Sequence, residues 1–283
     1  MREAEIDSLG ISVNGKNITD LRYADDTALL AESYGDMQEV INRVNDAGKE
    51  AGLMLNAKKT KVMHVGIPSD RVFYVDQEPL ENVDDMLYLG SYKSADTTCT
   101  KDVKVRTATA KKRVKDLENI WKDKSIPTDL KVKLLRALIW PVIMYGSEGW
   151  TLRTKDEKKI ETTEMWCYRR ALRISWTEKR TNTSILKELQ KDYELKYLVR
   201  KRKMKYFGHA MRHKHCDLMK LVAQGKLEGK RRQGRPSMSY IDSLSKWTGL
   251  GKAAVIKSTE DRAVWRRLTV QSSAANIHDD AAR

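Results

Sequence analysis

The sequence contains little cysteine and no long apolar run. Its three cysteines, Cys99, Cys167 and Cys216, are widely spaced and odd in number, which argues against a disulfide framework and favours a reducing compartment. No apolar stretch reaches the ~18 residues that a membrane-spanning helix needs. The first residues are acidic and lack the apolar segment of a secretory signal. We therefore expect an intracellular protein that does not enter a membrane.

Negative charge is scarce in the larger, second part of the chain. Residues 1–100 contain 10 Lys and Arg against 18 Asp and Glu, a net charge of −8, whereas residues 101–283 contain 44 against 21, a net charge of +23. Such asymmetry predicts two tasks, with cations held by the acidic part and phosphates by the basic part. A formal charge of +15 over 283 residues indicates nucleic acid as the partner, ahead of a membrane surface.

Hydrophobic periodicity predicts an α+β fold for the first hundred residues. The Asn14-Gly15 pair predicts a hairpin turn, and a second strand pair is predicted around a tight Asp25-Asp26 turn. An amphipathic helix is expected over 36–51, with Asp36 as its N-cap and Gly52 closing it. Further strands are predicted at 53–55 paired with 61–65, at 72–75 and at 86–92.

The remainder of the chain shows helical spacing. Pro141 falls inside one helical pattern, so a kink or an end is expected there. Trp150, Trp166 and Tyr168 are predicted to pack in the core, although stacking on bases stays open. Helices are predicted at 101–122, 128–145, 154–175, 181–190, 194–213 and 258–269, and a Gly/Lys/Arg linker at 225–237.

The adjacent carboxylates Asp25 and Asp26 are the feature of the sequence that most suggests a functional site. Two like charges side by side raise a pKa unless a cation compensates them, and Mg²⁺ binds through one or two carboxylates together with substrate phosphates. A strand–turn–strand junction would present both to a nucleic-acid end. Alternatively, Asp-Asp is an ordinary turn, because Asp tolerates turn conformations.

Three segments resemble, in order, the palm motifs of a non-LTR (LINE-type) retrotransposon reverse transcriptase. Residues 21–31 (LRYADDTALLA) resemble the metal-binding motif C, residues 51–61 (AGLMLNAKKTK) motif D, and residues 87–92 (LYLGSY) the primer-grip motif E. The resemblance implies a partial palm at 1–97, thumb-like helices at 98–150, a basic helical domain at 151–224 and a C-terminal helical segment at 238–283. It implies an RNA-directed DNA polymerase, a nucleotidyltransferase that adds dNTPs to a DNA primer 3′-hydroxyl on an RNA template with Mg²⁺.

The same resemblance implies roles for individual residues. Asp25 would be the firm metal ligand and Asp26 its weaker neighbour. Lys58 or Lys59 would lie near the incoming triphosphate, although a solvated turn explains these lysines equally well. The residues expected near the primer are Tyr23, Ala24, Leu89 and Gly90.

Only 22 residues precede Tyr23, and the family places a further metal-binding carboxylate and the template-holding segments upstream of motif C. The resemblance is therefore to the C-terminal part of the enzyme. We expect this chain to be inactive alone and to depend on an upstream polymerase segment, because catalysis by an assembled constellation falls steeply when a member is removed. The alternatives are a non-catalytic nucleic-acid-binding protein derived from a retroelement, and a scaffold with no nucleic-acid role.

The basic region supplies candidate phosphate-binding residues, since Lys and Arg bind nucleic-acid backbones without sequence preference. A nuclear localisation is expected from the run at 230–232, which is alternatively a flexible linker. Zinc is not expected at His209, His213, His215 and Cys216, because paired ligand spacing is lacking. The candidate nucleic-acid-binding residues are Lys104, Lys111, Lys112, Arg113, Lys230, Arg231, Arg232 and Arg235.

Overall fold

The computed structural model divides the chain into two compact units, with the boundary between Thr98 and Cys99. We call the described residues up to Thr98 unit 1 and those from Cys99 onward unit 2. The described residues are 6, 8–66, 70–214, 217–224 and 239–274. The predicted linker 225–237, with Lys230, Arg231, Arg232 and Arg235, lies outside them, as do His215 and Cys216.

Unit 1 is built from short strand pairs. Among its described residues every sheet has two strands; four pairs are antiparallel, and β5 and β8 run parallel. The strands are β1 Ile11–Val13, β2 Lys16–Ile18, β3 Asp20–Tyr23, β4 Asp26–Leu29, β5 Lys61–Val62, β6 Tyr74–Val75, β7 Glu78–Pro79, β8 Glu81–Asn82, β9 Asp85–Tyr88 and β10 Ser91–Ser94.

Turn chemistry explains which strand predictions hold. Asn14 and Gly15 have φ angles of 51° and 73°, the left-handed conformations of a two-residue hairpin turn, so this turn is confirmed. The single strand predicted at 86–92 is wrong, because residues 89 and 90 turn the chain between β9 and β10. The pairing of 53–55 with 61–65 is also wrong. Residues 53–55 form no strand, and β5 pairs with β8 instead.

The helix α1, Tyr34–Glu50, begins and ends with recognisable caps. Its N-cap is Ser33, whose Oγ accepts the N–H of Asp36 at 3.1 Å; the prediction that Asp36 caps the helix is wrong by one turn. Gly52, at a φ of 73°, ends the helix as predicted. The N–H of Leu53 donates to the carbonyl of Gly48 at 2.8 Å, the bond of a Schellman motif.

The core of unit 1 consists of two small clusters on α1. Leu29 of β4 and Leu55 pack against both clusters, so they join the β3–β4 hairpin and the segment after α1 to the same helix. The buried members are Ile41, Val62, Phe73, Val75 and Leu80 in one cluster and Ile6, Val40 and Val44 in the other.

Unit 2 is helical, and the predicted α+β class with a helical remainder is confirmed. The predicted helix 101–122 is two helices, and 128–145 is divided by a five-residue π-helix at Leu135–Ile139. Unit 2 has α2 Thr100–Asp116, α3 Glu118–Lys122, α4 Thr128–Leu134, α5 Trp140–Ile143, α6 Thr154–Leu172, α7 Asn182–Glu188, α8 Leu195–Arg212, α9 Asp217–Gln224, α10 Tyr240–Thr248, α11 Lys252–Ser258 and α12 Arg262–Ala274.

Pro141 accounts for the π-helix. Proline has no N–H to donate to the carbonyl four residues before it, so the regular ladder cannot continue. The N–H of Trp140 donates to the carbonyl of Leu135, one residue further back than in an α-helix, and the helix axis continues through the widened turn. The predicted irregularity at this proline is therefore confirmed as a widened turn.

The core of unit 2 is large. Among the described residues, one cluster contains 20 buried residues between Val103 and Val199, and a second contains seven between Met204 and Trp265. Trp150 and Tyr168 are 3% and 0% exposed, which confirms the prediction that they are core residues. Trp166 is half-buried against the first cluster. No helix of the described ranges is both long and apolar enough to cross a membrane.

Candidate active site

The Asp25–Asp26 pair lies at the tip of the β3–β4 hairpin. Tyr23 pairs with Asp26 across the strands, so the loop contains only Ala24 and Asp25. The predicted Asp25-Asp26 turn is therefore shifted by one residue, and Asp26 begins β4. Ala24 has a φ of 49°, a left-handed conformation that costs an L residue about 1–2 kcal/mol. Backbone strain of this kind often marks functional loops.

Both carboxylates are exposed, and Tyr23 beside them is 68% exposed. The nearest cation along the strand, Arg22, is bound to Asp20 through Nε and Nη2. In the described part of the chain, neither Asp25 nor Asp26 forms a side-chain hydrogen bond or an ion pair. The pair is therefore an accessible anionic tip that is not neutralised by its own hairpin.

The segment that resembles motif E is hydrogen-bonded to this hairpin. The hydroxyl of Tyr88 at the end of β9 donates to the carbonyl of Leu21 in β3 at 3.0 Å. Immediately after Tyr88, Leu89 and Gly90 form the two-residue turn to β10, with φ angles of 48° and 73°. The structure thus brings together two of the three segments that sequence reasoning singled out.

Lys58 and Lys59 lie on an exposed turn after α1. The turn is fixed by Asn56, whose Oδ1 accepts the N–H of Lys59 at 3.1 Å, and by Ala57, which packs against the cluster around Ile41. Neither lysine forms an ion pair with Asp25 or Asp26 within the described residues, so the structure does not bring these two groups into contact.

The carboxylates suit a hard divalent cation, but they supply only part of a cage. Mg²⁺ takes carboxylate oxygens and keeps several waters, and two exposed, unpaired carboxylates meet that chemistry for one ion. Among the residues that the structure describes, no group of three or more His, Cys, Asp and Glu is placed to hold a metal. A two-metal arrangement would need oxygen ligands beyond this pair.

The predicted phosphate-binding residues of α2 lie in unit 2. Lys104, Lys112 and Arg113 are exposed. Lys111 is half-buried, with its Nζ 5.4 Å from the centroid of the Trp166 ring, a cation–π contact. The histidines of the considered zinc motif that fall in described positions, His209 and His213, have ring centroids 5.6 Å apart.

Sequence reasoning missed a buried carboxylate in unit 2. Glu164 of α6 is fully buried and accepts the N–H groups of Glu194 at 2.7 Å and Leu195 at 3.0 Å. These are the first amides of α8, which carry the positive end of the helix dipole. Burial raises the pKa of Glu164 to about 7, opposed by these two hydrogen bonds. The side chain of Glu194 accepts from Nε of Arg136 at 2.8 Å.

Sequence reasoning also missed Lys203, which is fully buried on α8. Its Nζ donates to the carbonyl of Trp150 and lies 4.4 Å from the ring centroid of Tyr240 and 5.5 Å from that of Trp247. Burial lowers the pKa of Lys203 to about 8. The sequence did indicate this burial, because Lys203 lies at i, i+4 spacing with Val199 and Phe207, which face the core.

Part of the chain is similar to a known protein family. Residues 5–106 match the family described as reverse transcriptase (RNA-dependent DNA polymerase), and this range includes the β3–β4 and β9–β10 hairpins. No solved structure matches the chain. It is 27% identical over 242 residues to a transposon-derived protein of Caenorhabditis elegans, covering 83% of this chain and 86% of that protein. The chain therefore carries a reverse-transcriptase-like domain at 5–106 and is similar to a transposon-derived protein over most of its length.

Proposed function

We propose that this chain is part of an RNA-directed DNA polymerase of a non-LTR retrotransposon and supplies the motif C, D and E side of its active site. The reaction would add dNTPs to the 3′-hydroxyl of a DNA primer on an RNA template. One observation carries the proposal: the exposed, unpaired Asp25 and Asp26 at the tip of a strained hairpin, inside the range similar to reverse transcriptases.

In this proposal Asp25 is the principal ligand of Mg²⁺ and Asp26 is the auxiliary one. When bound there, Mg²⁺ would supply one part of two-metal chemistry, in which one ion activates the primer hydroxyl and the other stabilises the leaving pyrophosphate. Tyr23 and Ala24 would border the primer terminus. The hydrogen bond from Tyr88 to Leu21 supports a primer-positioning role for the adjoining Leu89–Gly90 turn, because it fixes that turn to the catalytic hairpin.

The remaining assignments rest on charge and position. Lys58 and Lys59 would approach the triphosphate once it is bound, since both are exposed and unrestrained by ion pairs in the described structure. Residues 98–150 would act as a thumb, with phosphates bound by the exposed cations of α2. We further propose that the protein acts in the nucleus, where the DNA target of a retrotransposon lies.

The metal site can be tested without polymerase activity. Mn²⁺ binding to the 283-residue chain, followed by electron paramagnetic resonance, should weaken by about tenfold or more in Asp25→Asn, because a lost ligand removes ~1.4 kcal/mol or more. Asp46→Asn, an exposed carboxylate on α1, is the matched control and should bind as the unaltered chain does. Equal Mn²⁺ affinity in both variants would contradict the assignment.

Primer extension tests the dependence on a further polymerase segment. We propose that the 283-residue chain alone extends no primer on an RNA template with Mg²⁺, because one carboxylate pair leaves the two-metal arrangement incomplete. Co-expression with a reverse-transcriptase segment that supplies a further metal-binding carboxylate should restore extension, and Asp25→Asn should abolish it. Extension by the chain alone would contradict the proposed dependence.

A second function is favoured by the charge distribution. If the chain is a non-catalytic nucleic-acid-binding protein, the net charge of +23 over residues 101–283 would supply salt-dependent binding. That alternative predicts no extension with any upstream segment and full nucleic-acid binding by Asp25→Asn.

A further inference from the structure

A basic groove of about 650 Å³ lies in unit 2, and its lining contains none of the residues proposed for catalysis. It is formed by the end of α2, by α3, by the end of α6 and by a short 3-10 helix at Trp176–Glu178. Its charged lining residues are Lys115, Lys122, Arg169, Arg170, Arg173 and Glu118. We call it the tryptophan groove, because Trp166 and Trp176 also line it.

The groove has a large excess of positive charge. Five cationic side chains face one carboxylate, a formal charge of +4. Glu118 is shared, since its Oε1 lies 3.1 Å from Nη2 of Arg170 and 3.4 Å from Nζ of Lys122. One carboxylate therefore serves two cations, and the described part of the lining offers no carboxylate to the other three. Such a groove attracts polyanions.

Arg169 is 6% exposed and is only partly satisfied by protein acceptors. Its Nη2 donates to the carbonyl of Arg180 at 2.6 Å and to Oδ1 of Asn182 at 3.1 Å, while its buried Nε and Nη1 have no hydrogen-bond partner among the described residues. Buried guanidinium donors without an acceptor are costly. A phosphate oxygen is a charged acceptor that matches this geometry.

Trp176 is the aromatic element that distinguishes this groove from a simple cationic patch. It is 74% exposed, yet its backbone is held by a capping box in which Ser175 donates to Oε1 of Glu178 at 2.7 Å. The indole lies over the Arg169 guanidinium, 4.7 Å from Cζ to the ring centroid. An exposed indole on a fixed backbone beside cations is the arrangement on which single-stranded bases stack.

Arg173 has a left-handed backbone conformation. It is the C-cap of α6 at a φ of 59°, a position that glycine normally occupies. The left-handed conformation is unfavourable for an arginine, and a phosphate contact of its guanidinium would offset that cost.

We propose that the tryptophan groove binds single-stranded nucleic acid, with phosphates on Arg169, Arg173 and Lys115 and a base stacked on Trp176. A duplex does not present a free base face, so it cannot use the indole. An acidic peptide would use the cations but would gain nothing from the ring. Binding of either RNA or DNA strands fits this chemistry, and a 2′-hydroxyl contact would separate them.

The test uses the 283-residue chain and three fluorescein-labelled probes: a 12-nucleotide oligouridine, a 12-nucleotide oligothymidine and a 12-base-pair duplex. Anisotropy should show at least one single strand bound more tightly than the duplex. Trp176→Ala should weaken single-strand binding by about tenfold, since one stacked base contributes ~1–3 kcal/mol. It should leave duplex binding unchanged, and circular dichroism should confirm an intact fold because the ring is exposed.

Arg173→Gly removes a cation without disturbing the backbone, because glycine favours a positive φ. It should lower the slope of log affinity against log salt by about 0.7 for a single strand, one phosphate contact, whereas Trp176→Ala should leave that slope unchanged. The matched control is Lys179→Gly, which also removes a cation at a positive φ of 49° but does not line the groove.

Three results would overturn the proposal: tighter binding of the duplex than of both single strands, unchanged affinity in Trp176→Ala, or equal effects of Arg173→Gly and Lys179→Gly. Asp25→Asn should bind all three probes normally, so this outcome is independent of the proposed catalytic site.

Discussion

Unit 1 and unit 2 are stabilised in different ways. The buried clusters of unit 1 contain five and three residues beneath separate strand pairs, whereas those of unit 2 contain 20 and seven residues among packed helices. Unit 1 also exposes large apolar side chains, such as Met54 at 79% and Leu53 at 69%. Because burial of apolar area is the main stabilising contribution, unit 1 should unfold more easily than unit 2.

The two proposed sites differ in the amount of buried core that supports them. The carboxylates proposed to bind metal lie on a hairpin with little core beneath it, in a segment that bears a net negative charge. The tryptophan groove lies on helices held by a continuous core. All seven tryptophans lie in unit 2, from Trp121 to Trp265, so tryptophan fluorescence reports the unfolding of unit 2 alone.

The largest expected effect is on the helix packing of unit 2. A Cβ atom at Gly208 of α8 would overlap Nε1 and Cδ1 of Trp265 on α12. Gly208→Ala should therefore lower the free energy of unfolding of unit 2 by ~2–3 kcal/mol, measured by urea titration with tryptophan fluorescence. Gly149→Ala, where a Cβ meets nothing within 4 Å, is the control and should change it little.

Hydrogen exchange followed by mass spectrometry shows whether the units are independent. In Gly208→Ala, the amides of unit 2 should exchange faster and those of unit 1 should keep their rates. Faster exchange throughout unit 1 would contradict the independence of the two units, because it would mean that they unfold together.

The effect of intermediate size is a dependence of the free energy of unfolding of unit 2 on pH. The pKa of Glu164 is about 7 in the folded chain against an ordinary value of 4.5. Between these pH values the folded chain holds a proton that the unfolded chain has released, so the free energy of unfolding of unit 2 should fall as pH rises from 4.5 to 7. The urea midpoint of tryptophan fluorescence, measured at several pH values, checks this.

Two variants test whether the carboxyl group of Glu164 causes this pH dependence. Glu164→Gln should make the midpoint nearly independent of pH over that range, with a lower stability at pH 5 because an amide replaces one of the acceptor oxygens. Glu260→Gln, at an exposed position of unit 2, should keep the normal pH dependence. A parallel slope in Glu164→Gln would refute the assignment.

The smallest expected effect is a gain in stability from one glycine substitution in each unit. Gln77 and Gln190 are both exposed and have positive φ angles of 68° and 50°, in unit 1 and unit 2 respectively. Gln77→Gly should stabilise unit 1 by about 0.5–1 kcal/mol and Gln190→Gly should do so for unit 2, because glycine relieves the left-handed strain. Hydrogen exchange should place each gain in its own unit, and a gain in the other unit would contradict the division.

Local chemistry made much of this protein predictable from its sequence. The Asn14–Gly15 turn, the end of α1 at Gly52 and the irregularity at Pro141 follow from backbone preferences of single residues, and the structure confirms them. The core position of Tyr168 follows from its spacing on α6, and that of Trp150 from the general tendency of large aromatic side chains to pack in cores. The sequence also determined the position of the Asp25–Asp26 hairpin and its resemblance to reverse transcriptases, because that signal is contained in eleven consecutive residues.

Tertiary structure decided the contacts between residues distant in the chain. Only the fold shows that β5 pairs with β8, that Tyr88 donates to Leu21, and that Glu164 receives the first amides of α8. It also gave the buried Lys203 its partners, the carbonyl of Trp150 and the ring of Tyr240, and it brought Arg169, Arg173 and Trp176 to one groove with α2 and α3. These outcomes depend on which elements meet in space, and burial and hydrogen bonding across long sequence separations cannot be deduced from the periodicity of a single segment.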